Sequence, residues 1–258
     1  MAREMIGSYL QDAELLGKRT AEMHLALAQA TEPALLPEPF TPFYQRSLFQ
    51  QMRTSGRESL RLLRRRLSAL PPDTRKEAEA LLPRETEIIQ RFELLRSTKI
   101  TAQRMRCHGD YHLGQVLHTG KDFSIIDFEG EPARPLSERR IKRAPVKDLA
   151  GMLRSFSYAP FAAIFGQASG VNVRVRDRAS SEAWARFWQE WVSVAFLKGY
   201  LANARELAPL PQDRAELGTL LDAYLLDKAL YELTYELLSR PGWARIPLLG
   251  IRDIVSGS

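Results

Sequence analysis

Asp110 stands five residues before Gln115, and a second carboxylate, Asp127, follows the apolar run Phe123-Ser124-Ile125-Ile126 and opens an Asp-Phe-Glu-Gly turn. These side chains suit the transfer of a phosphoryl group to a hydroxyl. One carboxylate can accept the hydroxyl proton and aim the oxygen, while an amide and a second carboxylate offer the hard oxygen ligands that Mg²⁺ prefers. Between them, Gln115 to His118, a turn at Thr119-Gly120-Lys121-Asp122, and Phe123 to Ile126 read as a β-hairpin that would bring the two ends together. Each piece has a plainer reading: a His-Gly-Asp turn is usually only a turn, and Asp-Phe-Glu-Gly can be a strand end with a helix cap. Their joint occurrence, in order and around a hairpin, favours phosphoryl transfer. His108 reads as a scaffold residue packed beneath the loop, not as a base.

The order resembles the catalytic loop and metal turn of protein kinases. His108-Gly109-Asp110 stands where those enzymes have H-R-D, Gln115 where they have the metal-binding Asn, and Asp127 at the D-F-G position. A closer resemblance lies in His-Gly-Asp-Tyr-His-Leu-Gly-Gln-Val-Leu, in Ile-Asp-Phe-Glu-Gly-Glu-Pro, and in the run from Pro135 through Lys147-Asp148-Leu-Ala-Gly-Met-Leu-Arg-Ser-Phe. These are similar to maltokinases, including the kinase modules fused to trehalose synthase, which share the fold of aminoglycoside phosphotransferases. The resemblance implies ATP-dependent phosphorylation of maltose to maltose 1-phosphate, with ATP as donor and Mg²⁺ as cofactor. It implies Asp110 as the base and Gln115 and Asp127 as metal ligands; Glu129, two residues beyond Asp127, is placed to help hold metal or sugar. It spans the chain but covers only the C-terminal, helical lobe of that family.

Composition sets the frame. The chain has 258 residues, 45% of them apolar and 26% charged, which is ordinary for a soluble globular protein. No apolar run approaches the ~20 residues needed to span a bilayer, and the start is not that of a signal peptide. The single cysteine, Cys107, excludes an internal disulfide and a zinc cluster, and a reducing cytoplasm fits. The net charge of +6 is spread along helices and not interleaved with aromatics, so no nucleic-acid partner is expected.

The elements that must position the site read as mainly helical. Helices are expected from Ile6 to Ala30, from Pro42 to Leu70, and from Thr74 to Ser97 with an interruption at Pro83. His24, on the first of these, reads as a packing or surface residue. Arg53, Arg57, Arg61 and Arg64 form a stripe that reads as a solvated basic face, the other reading being a phosphate- or acid-binding ridge. After the metal turn, Arg139, Arg140, Lys142 and Arg143 form a basic run that could clamp phosphate, with Arg143 paired to a nearby acid as the structural reading. Asp148 is expected to open a helix running to Tyr158, where its charge complements the helix dipole. Trp184, Trp188, Trp191 and Ala195 read as the buried centre of a helical layer. In the helix from Gln212 to Leu238, Leu226, Leu230, Leu233 and Leu237 form a core face. Tyr224, Lys228, Tyr231 and Tyr235 lie opposite it, either against a sugar or as a surface cover. The maltokinase resemblance assigns Lys228, Tyr231 and Tyr235 to the disaccharide.

The expected fold is therefore mainly α with a small β-hairpin: residues 1–258 as one C-terminal lobe of a kinase-like, aminoglycoside phosphotransferase-like fold, with the catalytic loop and metal turn at 104–131. No Gly-rich loop and no strand-borne Lys of the upper, nucleotide-binding lobe is found, so that lobe, or a fused trehalose synthase domain, is expected as a partner. The alternatives are a non-catalytic sugar-binding or docking module and a kinase for another hydroxylated acceptor such as an aminoglycoside. Lys228 argues against a polycationic acceptor.

Overall fold

The computed structural model describes residues 2–132, 134–164 and 178–256. In chain order the elements are α1 (Ala2–Ile6), α2 (Tyr9–Ala28), β1 (Glu38–Pro39), α3 (Pro42–Arg66), α4 (Pro72–Leu81), α5 (Glu85–Arg91), α6 (Glu93–Ser97), β2 (Gln103–Arg104), β3 (Val116–His118), β4 (Phe123–Ile125), α7 (Leu136–Arg139), α8 (Val146–Ile164), α9 (Arg178–Asn203), α10 (Arg214–Ser239) and α11 (Arg245–Ser256). The chain is mainly helical with its hairpin where the sequence places it. It divides into two compact units, one of Met1–Glu38 with Gln103–Leu210 and the other of Pro39–Ala102 with Pro211–Ser258. Among the described residues no helix is long and apolar enough to cross a membrane.

In the first unit, α2 packs along α9, and α9 against α8. The buried face of α2 is Ala13, Leu16, Gly17, Thr20, Ala21 and His24, a helical stripe narrow enough for two backbones to touch. A Cβ on Gly17 would stand 2.1 Å from the Phe196 carbonyl oxygen, and one on Gly199 would stand 2.0 Å from that of Glu14. Glycine at both places is thus a condition of the contact. The single helix expected from Ile6 is instead broken after α1 at Gly7, whose φ of 75° only glycine adopts freely. The tryptophan stripe is also corrected. Trp184 and Trp191 are 40% and 43% exposed, and the core side of α9 is Ala185, Val192, Phe196 and Tyr200. Large aromatic side chains at helical spacing mark a face, but period alone does not say which face is inward.

In the second unit, α10 packs against α3 and α11, and α11 against α4. Thr41 caps α3 by accepting the Tyr44 N–H at 3.2 Å, and Pro42 follows at the position where a missing N–H costs nothing. Asp213 caps α10 by accepting the Ala215 and Glu216 N–H groups at 2.6 and 3.1 Å. Leu226, Leu230, Leu233 and Leu237 are buried as the core face of α10. Ser59 of α3 closes the contact by donating to the Leu230 carbonyl at 2.9 Å. The buried Glu216 carboxylate accepts from the Thr101 and Ala102 N–H groups at 2.7 and 2.9 Å, pinning the end of the 39–102 segment. The helix expected over 74–97 is instead α4, a 3₁₀ turn at Leu82–Arg84 around Pro83, α5 and α6.

Candidate active site

The loop Arg106–Gln115 is held from several sides within the first unit. Asp148, in the first turn of α8 and 1% exposed, accepts the His108 N–H on one oxygen at 2.8 Å and the Gly109 N–H on the other at 3.0 Å. Next to it on α8, Lys147 donates to the Gly109 carbonyl at 2.8 Å. Two turns on, Ser155 Oγ accepts the Leu113 N–H at 3.0 Å. The Tyr111 hydroxyl meets Thr20 Oγ1 of α2 at 2.8 Å. A Cβ on Gly151 would lie 2.5 Å from the Tyr111 carbonyl oxygen, so α8 and the loop touch backbone to backbone. Asp148 is therefore more than a charge at a helix start, and the helix it stands in runs from Val146 to Ile164, longer than the sequence suggests.

Behind Asp148 lies His24, a packing residue as one reading of the sequence has it, but with a role under the loop that the sequence does not suggest. His24 is fully buried, with Nε2 3.2 Å from Asp148 Oδ2 and Nδ1 2.9 Å from the Tyr200 hydroxyl. With Asp148 ionised, His24 donates from Nε2 and Tyr200 donates to Nδ1, so one row of hydrogen bonds runs from α9 through α2 to the loop. Burial works against ionisation of Asp148, but the hydrogen bond from His24, the Lys147 charge and the Gly109 N–H together hold its pKa below the ordinary value. The signal available in the sequence was the position of His24, one turn after Thr20 on the buried face of α2.

His108 is fully buried and links the loop to the turn beyond the hairpin. Its Nε2 stands 2.8 Å from the Ile126 carbonyl, the Asp110 N–H points at Nδ1 at 3.4 Å, and its ring lies 4.9 Å from that of Phe128. A proton on Nε2 satisfies both polar partners. Arg106 adds a clamp, donating to the Arg139 carbonyl at 2.5 Å and the Phe128 carbonyl at 2.9 Å. Gly109 and Gly130 have φ of 91° and 78°, and a Cβ on Gly109 would stand 3.3 Å from Gly130 Cα, so loop and turn meet at two glycines.

The hairpin supplies the rest. β3 and β4 pair antiparallel with Val116 opposite Ile125, Leu117 opposite Ser124, and His118 opposite Phe123. The Ile126 N–H donates to the Gln115 carbonyl at 3.0 Å, and the Gln115 side-chain amide donates to Asp127 Oδ2 at 2.8 Å. The amide and the second carboxylate are thus neighbours, although twelve residues apart in the chain. Asp127 is the one non-glycine residue at positive φ (64°) among the described residues. That backbone state is uncommon outside glycine, though Asp tolerates it, and it tends to occur where a site fixes a side chain's aim. Glu129 is exposed, and Asp110 is half-buried with Oδ2 3.7 Å from His112 Nε2. With its NH₂ committed to Asp127, Gln115 keeps Oε1 as an acceptor. That oxygen and the exposed Asp127 carboxylate are the hard donors that suit Mg²⁺. Arg143 meets the loop through its backbone, exchanging hydrogen bonds of 2.9 and 3.0 Å with Met105. Cys107 is buried, and burial pushes its thiol pKa well up, so it is no nucleophile.

The second unit carries the other group named from the sequence. On α10, Lys228 Nζ lies 5.0 Å from the centre of the Tyr231 ring, and Tyr235 is 50% exposed with the Arg240 guanidinium 5.6 Å over its ring. Tyr224 departs from the expected pattern. It is 3% exposed and belongs to the core side of the helix.

Residues 8–131 match the phosphotransferase enzyme family APH. The chain is 24% identical over 246 residues to a glucosamine kinase of Streptacidiphilus jiangxiensis, covering 95% of this chain and 50% of that protein. It is 42% identical over 142 residues to a glucosamine kinase of Mycolicibacterium smegmatis, covering 54% of this chain and 32% of that protein. It thus spans half the length of one relative and about a third of the other. Among solved structures, a glucosamine kinase in crystal form A aligns over 99% of this chain and 56% of its own, with a TM-score of 0.75 and 23% identity. A glucosamine kinase in complex with glucosamine, ADP and inorganic phosphate aligns over 99% of this chain and 58% of its own, with a TM-score of 0.74 and 24% identity. The fold is that of these phosphotransferases.

Proposed function

We propose that this chain is the catalytic and acceptor-binding part of an ATP-dependent sugar kinase. The observation that carries the reading is the hydrogen bond from Gln115 to Asp127, across a hairpin whose second end is tied back to the Asp110 loop through His108 and Ile126. Asp110 aligns a sugar hydroxyl and takes its proton as the oxygen bonds to the γ-phosphorus; the bond from that phosphorus to the bridging oxygen breaks and ADP leaves. Gln115 Oε1 and Asp127 would hold Mg²⁺, which neutralises the phosphate oxygens when bound, and Glu129 is close enough in sequence to assist. His108, Asp148 and His24 fix the loop so that Asp110 needs no rearrangement to act. Leu117, Ile126 and Phe128 are exposed beside the loop and offer an apolar border for the nucleotide-covering part of the enzyme.

Glucosamine is the acceptor we favour, because both curated relatives above carry that activity in their names. Maltose, converted to maltose 1-phosphate, is the second reading. It is supported by the resemblance of the Lys228, Tyr231 and Tyr235 segment, whose cation and rings are of the kind that bind a sugar's hydroxyls and apolar face. The test is phosphate transfer from ATP to glucosamine, maltose and an aminoglycoside, assayed with residues 1–258 alone and with the full gene product. Transfer to glucosamine by the full product supports the first reading, and preference for maltose the second. No transfer to any sugar, with Mg²⁺ and ATP present, removes both.

A further inference from the structure

We propose that the second unit holds a binding site for a phosphate monoester of a polyhydroxylated compound, in a groove between α3 and the segment Leu82–Glu93. The groove has a volume of about 460 Å³ and takes Arg53, Arg57 and Arg64 from α3. It lies on the arginine stripe of the sequence, and the charges within it are unequally committed. Glu85, on its wall, is bound by Arg64, and Glu93 is paired with Arg96 at 3.0 Å. Both acids of the lining are thus already neutralised.

Arg53 and Arg57 remain, one helical turn apart on the same face. The Arg53 guanidinium is held 5.4 Å over the buried Phe49 ring, and its Nε is buried with no hydrogen-bond partner among the described residues. A desolvated donor left unmatched is costly, and no carboxylate among the described residues offsets the Arg53 charge, so the outer nitrogens of its fork are left for an anion. Two neighbouring guanidinium forks match the oxygens of a phosphate better than they match a halide or a lone carboxylate. Thr86 and Gln90 line the groove from α5 with a hydroxyl and an amide, groups that pair with sugar-type hydroxyls. The space exceeds what inorganic phosphate alone would fill. This site is independent of the catalytic reading, since all its residues lie in 39–102.

Titration calorimetry with glucose 6-phosphate as the probe tests it, with glucose, inorganic phosphate and citrate as comparison ligands, at near-physiological salt. The expected result is one site per chain for glucose 6-phosphate, weaker binding of inorganic phosphate, and none of glucose. In Arg53→Ala/Arg57→Ala the affinity should fall by about tenfold or more, the worth of one bidentate charged pair. Arg61→Ala, on the same helix but outside the groove, should leave it unchanged. Where the double alanine variant melts early, Arg53→Lys/Arg57→Lys keeps charge and stem while removing both forks, and the same loss is expected. Undetectable binding at millimolar probe, an unchanged affinity in both double variants, equal binding of citrate, or equal weakening by Arg61→Ala would each overturn the proposal.

Discussion

Asp148 shows what a single buried carboxylate does for this site. It is the shared acceptor for two backbone N–H groups of the loop and for His24. Replacing it by alanine leaves the His108 and Gly109 N–H groups and His24 without their partner in a dry environment. Unsatisfied buried groups cost about 1–3 kcal/mol each, so Asp148→Ala should lower the unfolding free energy by about 3–5 kcal/mol, as for a broken buried pair. Chemical denaturation followed by circular dichroism measures it, and a loss below 1 kcal/mol would deny Asp148 its anchoring role. Asp110→Asn tests the chemistry itself. On the proposed reading, kcat for phosphate transfer to the sugar should drop by about 10²–10⁴, the usual worth of a positioned base, with the sugar KM little changed. Near-normal turnover would remove Asp110 from its role.

At the scale of elements, the hairpin tip and the paired helices make separate predictions. Asp122, in the turn between β3 and β4, takes two hydrogen bonds of 2.7 Å from Arg19 of α2. Arg19 and the Phe123 N–H hold the Asp122 pKa down from 3.8 to about 2. A depressed carboxylate pKa stabilises the fold above its unfolded value, and the contribution disappears as pH falls through the folded one. The clasp should therefore stay closed at pH 4 and open as pH falls toward about 2. Carboxyl NMR should place the Asp122 midpoint near 2 in the wild type and raise it toward 3.8 in Arg19→Ala, where the Phe123 N–H still holds it partly down. In the helices, Gly17→Ala should destabilise by about 1–3 kcal/mol or more, the range for overpacking, because the new methyl would meet backbone. Gly218, inside α10 with no atom within 4 Å of a new Cβ, should gain about 0.4–1 kcal/mol as alanine. Thermal melts that rank the two variants the other way would refute this packing account.

These elements also show what could be read in advance. The hairpin was legible because Thr-Gly-Lys-Asp sits between two short apolar runs, and its register follows from the turn. The leucine face of α10 was legible because it repeats at helical spacing. Tyr224 and the tryptophans of α9 were misassigned, because period identifies faces while only a partner element decides which face is covered. His24 was legible as a packing residue but not as an anchor of the loop, for a related reason. Its partners, Tyr200 and Asp148, lie 176 and 124 residues away, and no local pattern announces such a meeting. The role of Gly17 and Gly199 was invisible for the same cause.

For the molecule as a whole, the lone thiol is a built-in reporter. Cys107 is the only cysteine, lies buried at the start of the loop, and has its thiol pKa raised by burial. Thiolate is the reactive form, so labelling of the native protein should be slow and should track opening of the first unit. With an aromatic disulfide reagent at neutral pH, one thiol per chain should react at once in denaturant and at least about 100-fold more slowly without it, since closed states protect in proportion to their stability. Asp148→Ala should shorten that delay. Fast labelling of the intact native chain would mean that the loop is far less firmly held than its hydrogen bonds suggest.

The chain between Gln115 and Asp127 is fastened at both ends and at its midpoint: to itself by the amide and carboxylate, and to α2 by Arg19. Its length is consequently a fixed measure, like the chord of an arc with three pins. Adding or removing one residue in β3 or β4 would turn every following side chain to the opposite side and carry Asp127 away from Gln115. Natural variants of this chain should therefore tolerate substitution along the ribbon far better than any change in its length.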